Sequence, residues 1–152
     1  MANPKVPPPE LPPSDVSPPV QPAMANPQVT PLVEIWHDGG FLVSEANGHQ
    51  SRDTIQLTGG VKVLAGTVLG LLTSGASAGS WAPLNPAAAD GSELAGGVLC
   101  GARDVTFADR AAVAVTRSAE VNTSELVWPS TATPAQIATA IAQLQMHGIL
   151  AR

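Results

Sequence analysis

The sequence predicts a mainly β fold of the α+β class: a β-rich domain ending in one helix and preceded by a flexible proline-rich arm. Three observations carry that reading. Eleven of the fifteen prolines lie in residues 1–31, whereas none of the fourteen glycines comes before Gly39. From residue 32 onward, short apolar runs alternate with turn dipeptides, the pattern of successive strands. The last twenty residues then change to a helical period. At 152 residues the chain has the length of one domain with a tail.

Residues 1–31 are read as the arm. Segments such as PKVPPPELPPSDVSPPV fix φ and lack N–H donors, so they join neither a helix nor a sheet interior and favour polyproline II or disorder. Met1-Ala2-Asn3-Pro4-Lys5-Val6 returns as Met24-Ala25-Asn26-Pro27-Gln28-Val29, a small repeat that marks either a duplicated start region or an internal initiation site. The domain is assigned to residues 32–152. Its expected strands are 32–36, 41–45, 54–58, 61–64, 67–72, 97–101, 111–117 and 125–128. Turn signals at Asp38-Gly39-Gly40, Asn47-Gly48, Gly59-Gly60, Asn85-Pro86 and Asp90-Gly91 separate several of them. In Asp53-Thr54-Ile55-Gln56-Leu57-Thr58 polar and apolar residues alternate, which sends Ile55 and Leu57 inward from a half-exposed strand.

A helix is expected at about 134–147. Thr133-Pro134-Ala135-Gln136 has the form of a capping box with proline at the first helical position. Ile137, Ile141 and Leu144 make one apolar stripe, and Gly148 suits the C′ stop.

Composition narrows the function. Seven Lys and Arg against twelve Asp and Glu give a net charge of −5, with no basic stripe to neutralise phosphates, so nucleic acid is not expected as a partner. The longest apolar stretch, Val61 to Leu72, has twelve residues and contains Lys62, short of the ~20 that span a bilayer. A soluble protein without a membrane partner or a secretory signal is expected. The single cysteine, Cys100, rules out an internal disulfide and is read as a small buried hydrophobe in a protein made in a reducing compartment.

No chemistry-bearing motif finds its context. Gly75-Ala76-Ser77-Ala78-Gly79 matches a nucleophile-elbow pattern, with Asp104 and His147 following in hydrolase order. That motif needs a helix directly after the serine, and Pro83 and Pro86 oppose one. The segment is therefore read as a loop between strands, with no catalytic residue. His37, His49 and His147 are far apart and no HxxxH, CxxC or calcium loop occurs, so neither metal nor cofactor is expected. Trp128, between Val127 and Pro129, is either a core anchor or an interface hot spot.

Several segments taken in order resemble the lambda-type head decoration proteins of tailed bacteriophages. They are GGFLVSEANG (39–48), Ser51-Arg52-Asp53, AGTVLG (65–70), PLNPAAADGSE (83–93), GGVL (96–99) and AEVNTSELVWP (119–129), with a closing helix ending in GILAR (148–152). The resemblance covers residues 36–152 and contains no catalytic signature. It implies a β-clip-like, capsid-stabilising domain that forms a homotrimer at local three-fold sites on the outside of the expanded head. The molecule would then be a virion component made in the host cytoplasm. It also implies that the segment before the domain adds a strand to the major capsid protein. That role falls on Thr30, Pro31, Leu32, Val33, Glu34, Ile35 and Trp36, where Val33 and Ile35 alternate with Glu34. Glu120, Trp128 and Pro129 are the candidate trimer-interface residues, because they lie in the most specific matching segment. Residues 1–29 are longer than the family leads one to expect. The rival readings are an adaptor module that recruits a partner through PPPELPP and a small hydrolase using Ser77.

Overall fold

A computed structural model describes residues 37–152 of the chain. The expected strand at 32–36, the arm and the residues expected to bind the capsid, Thr30 to Trp36, lie outside the described residues. Ten strands are present among the described residues: β1 (Leu42–Glu45), β2 (Arg52–Leu57), β3 (Lys62–Val63), β4 (Val68–Leu71), β5 (Trp81–Pro83), β6 (Ala95–Leu99), β7 (Arg103–Asp104), β8 (Arg110–Val115), β9 (Ala119–Val121) and β10 (Ile149–Ala151). One α-helix, α1 (Pro134–Met146), and a short 3-10 turn at Thr123–Glu125 complete the domain. The mainly β class with a C-terminal helix is therefore what the chain adopts.

Five strands close a barrel in the order β2-β5-β4-β6-β8. Closure depends on β8, which pairs antiparallel with β2 from Arg52↔Val115 to Leu57↔Arg110 and with β6 at Val98↔Val115 and Leu99↔Ala114. On β2 the expected alternation holds: Ile55 and Leu57 are buried, while Thr54 and Gln56 face solvent. On β6, on β4 up to Gly70 and on β8 from Ala112 onward, both faces are largely covered. Leu69, Leu99, Ala112 and Ala114 fill one core with Ile55, Leu57, Val63 and Val105, whereas Val68, Val98 and Val115 join a second core on the other side. Successive side chains on a strand point to opposite faces, so one apolar run serves two cores.

The second core is covered by α1 and by a three-stranded sheet of order β1-β9-β10. Helix α1 begins with the predicted capping box: Gln136 N–H donates to Thr133 Oγ1 (3.3 Å) and Thr133 N–H donates to Gln136 Oε1 (2.8 Å). Its apolar stripe is centred differently from expectation. Ala140 and Leu144 are buried, whereas Ile137 and Ile141 are only half-buried. Alanine at the contact lets the helix approach the sheet closely, and Gln143 Oε1 accepts a hydrogen bond from Ala95 N–H at 2.8 Å beside it.

Gly148 holds φ +75° just past the helix, as its C′ role requires. The chain therefore reverses there, and residues 149–151, which the resemblance placed at the end of the closing helix, form β10, parallel to β9. The segment 125–128, expected as a strand, contributes a single parallel bridge between Val127 and Thr67. Asn122 caps the 3-10 turn before it, and Pro129 has no N–H to extend a ladder. Strands β5, β7, β9 and β10 were not anticipated, being only two or three residues long.

The loop of residues 90–94 crosses β4 at Gly70. A Cβ there would lie 2.7 Å from Ser92 Cα and 2.8 Å from Leu94 O. Gly70→Ala is thus expected to cost about 1–3 kcal/mol through overpacking, and Leu144→Ala about 2–5 kcal/mol through the cavity it leaves. Urea unfolding with an unchanged m-value measures both; a loss near zero for Gly70→Ala would contradict the close crossing.

Candidate functional site

Several large apolar side chains are exposed, among them Val43, Leu94 and Met146, and the apolar surface has two further features. The first is an apolar groove of about 240 Å³, with walls that include Val61, Leu64, Pro83, Val127, Trp128 and Pro129. Its construction follows from local chain geometry. Val127 N–H donates to Gly66 O (2.9 Å) and Val68 N–H donates to Val127 O (3.3 Å), which fixes 126–129 alongside the start of β4. Leu126 is buried in the second core as an anchor, and Trp128 packs partly against that core while also lining the groove. Trp128 is thus half-buried, one part packed on the core and another lining the groove. Lys62 is the only charged residue among those lining the groove.

The second feature is Phe107, 97% exposed in the loop between β7 and β8. Asp104 Oδ1 accepts from Thr106 N–H at 3.0 Å, which shapes the loop just before the ring. Strand β7 pairs with β3 at Lys62↔Asp104 and Val63↔Arg103, and Val105 N–H donates to Val61 O at 3.1 Å. The loop and one wall of the groove therefore belong to the same two-stranded ribbon. Sequence reasoning passed over Phe107, Val61 and Leu64; the available signal was a single aromatic residue in an otherwise polar loop, Thr106-Phe107-Ala108-Asp109.

The three weak interface candidates separate. Trp128 and Pro129 meet in the groove wall. Glu120 lies in the outer sheet instead, where its carboxylate accepts from Ser44 Oγ (3.0 Å) and from Arg152 Nε (2.8 Å). Those two partners, Ser44 first, hold its carboxyl below the ordinary glutamate value. Other charges are likewise paired. Arg52 grips Glu45 through two nitrogens at 2.6 and 2.8 Å, and Arg117 grips Asp53 at 2.7 and 2.8 Å.

The elbow-like serine stays apart from its notional partners. Ser77 lines a recess with Gly75, Ala76 and Asp90, His147 lines a different one with Asp53 and Arg117, and Asp104 sits in β7. Residues 74–80 form turns rather than a helix, as the prolines predicted. Cys100 is buried, and that burial pushes its thiol up, away from reactivity. Among the described residues no group of three or more His, Cys, Asp or Glu gathers as a metal site, and no helix is long and apolar enough to cross a membrane.

In comparison with known families, the chain matches the bacteriophage lambda head decoration protein D family (HDPD) over residues 31–149. None of the curated proteins compared with the chain matches it. The matched region takes in the whole barrel, the outer sheet up to the start of β10, and the groove and loop described above.

The Glu120 cluster makes a pH prediction. A carboxyl whose folded pKa is lowered contributes stability above its unfolded pKa and loses it as pH falls through the folded value. Glu120→Gln is expected to lower the urea midpoint at neutral pH, with the difference from the parent vanishing in acid. A carboxyl ¹³C titration of Glu120 with a midpoint at or above 4.5 would contradict the cluster.

Proposed function

The chain belongs to the bacteriophage lambda head decoration protein D family, structural proteins of the phage capsid, and from that premise we propose that it works as a homotrimeric staple. Three copies sit at local three-fold positions on the outside of the expanded head, and each uses residues 30–36 to add a strand to the major capsid protein. The observation that carries this reading is the family match over 31–149, which begins inside the arm segment and leaves out the proline-rich residues before it.

Physical reasoning supports each part. A domain of this size, with 3% aromatic residues, has limited burial, and oligomerisation covers apolar surface left over. The exposed Val61, Leu64 and Phe107 are such surface. In Leu32-Val33-Glu34-Ile35-Trp36 the apolar residues alternate with Glu34, so one face of an added strand is apolar while its main chain completes a sheet edge. Three tethered arms convert weak single contacts into avid binding, with gains of roughly 10²–10⁴. Binding that favours the assembled, expanded lattice then opposes separation of the capsomers. No reaction is required of any side chain.

Deleting residues 1–36 is expected to leave a trimer of normal circular dichroism that no longer sediments with expanded heads. Head binding that survives the deletion would overturn the arm mechanism. The full chain should sediment at about 46 kDa, three times its 15.4 kDa.

A further inference from the structure

We infer that Phe107 of one copy seats in the Trp128 groove of the next copy around the ring, so that each chain carries both the knob and the socket of its own trimer contact. This inference rests on the trimer proposed above and names the surfaces that form it. A benzyl ring 97% exposed at a loop tip leaves nearly all its apolar surface in water. The groove has the complementary chemistry: walls of Val61, Leu64, Val127, Trp128 and Pro129, and a volume of about 240 Å³.

Two observations select a second copy as the occupant. The first is charge. Asp109 follows the ring by two residues, and the groove's only charged lining residue is Lys62, so seating Phe107 carries a carboxylate to the rim that holds the ammonium. Within one chain Lys62 lies opposite Asp104 across the β3–β7 ladder and acts on its carboxyl, and Asp109 of a neighbour adds a second acid at that rim. The second is placement. Knob and socket both adjoin the β3–β7 ribbon, so each copy offers them side by side. A head-to-tail contact between two different patches closes into a ring when the rotation allows. An aromatic ring buries about 150–250 Å², against ~800 Å² per partner in a standard interface. Phe107 is therefore the anchor of the contact, with the surrounding ribbon as its margin.

The test uses the full chain. Sedimentation equilibrium of the parent and of Phe107→Ser gives the trimer dissociation, and circular dichroism checks the fold, which the substitution spares because the ring touches no core. Loss of an interface anchor is expected to weaken association about 30-fold or more. In parallel, Ala108→Cys chains, which keep the ring, are mixed with Leu64→Cys chains of different mass and treated with a bismaleimide. A covalent dimer of one chain of each mass is expected, and the parent, whose one thiol is buried, stays uncross-linked. A parent chain that sediments as a monomer overturns the trimer and this contact together. A parent trimer whose Phe107→Ser variant associates equally well overturns the contact alone, as does a trimer that dissociates on Phe107→Ser yet gives no 108–64 cross-link.

Discussion

Pairing along both edges of β8 is the constraint on which the domain depends. Six consecutive residues pair with β2 on one side, and the end of the strand pairs with β6 on the other, so β8 is the stave that closes the barrel. A five-stranded barrel has a narrow interior, and the residues that fill it are sized for that: Ala112 and Ala114 on β8 face Ile55, Leu57, Leu69 and Leu99. The ring packed against this cluster is the partly buried Trp81 of β5.

The barrel cannot stand alone, because β4, β6 and β8 are apolar on their outer faces too. Helix α1 and the β1-β9-β10 sheet cover Val68, Val98 and Val115, and Leu144, Val121 and Ile149 complete that second core. One small polar residue joins the two parts. Ser51 is fully buried, accepts from Ala46 N–H at 3.0 Å and donates to Ser118 O at 3.0 Å, while its own carbonyl accepts from Thr116 N–H. It therefore connects the end of β1, the start of β2 and the turn from β8 to β9. Arg52 and Asp53, the next two residues, add their ion pairs to Glu45 and Arg117. These pairs are partly exposed, so they fix geometry more than they supply stability.

What the surface leaves uncovered agrees with a structural rather than a chemical role. Most of the acidic and basic side chains discussed above are spent on one another within the fold, while an aromatic knob and an apolar groove are presented outward. Such surface is costly in a lone molecule and useful in an assembly, where burying it is the driving force. Membership of a capsid decoration family gives that surface a setting.

Much of this was determined by the sequence itself, wherever the physics is local. The capping box at Thr133, the stop at Gly148, the alternation around Ile55 and Leu57, and the non-helical stretch after Ser77 each follow from the conformational preferences of a few neighbouring residues. The family could be read because motif order and spacing survive in one dimension. Only the tertiary structure decided the rest. β5, β7, β9 and β10 are too short to show a period and exist because a distant partner supplies their hydrogen bonds. The segment 125–128, strand-like in composition, found no such partner beyond one bridge. Trp128 and Pro129 parted company with Glu120 although all three lie within ten residues, and Trp128 instead met Val61 and Leu64 from more than sixty residues away. Whether an apolar side chain is core or contact surface depends on what the rest of the chain places against it, and composition carries no information about that.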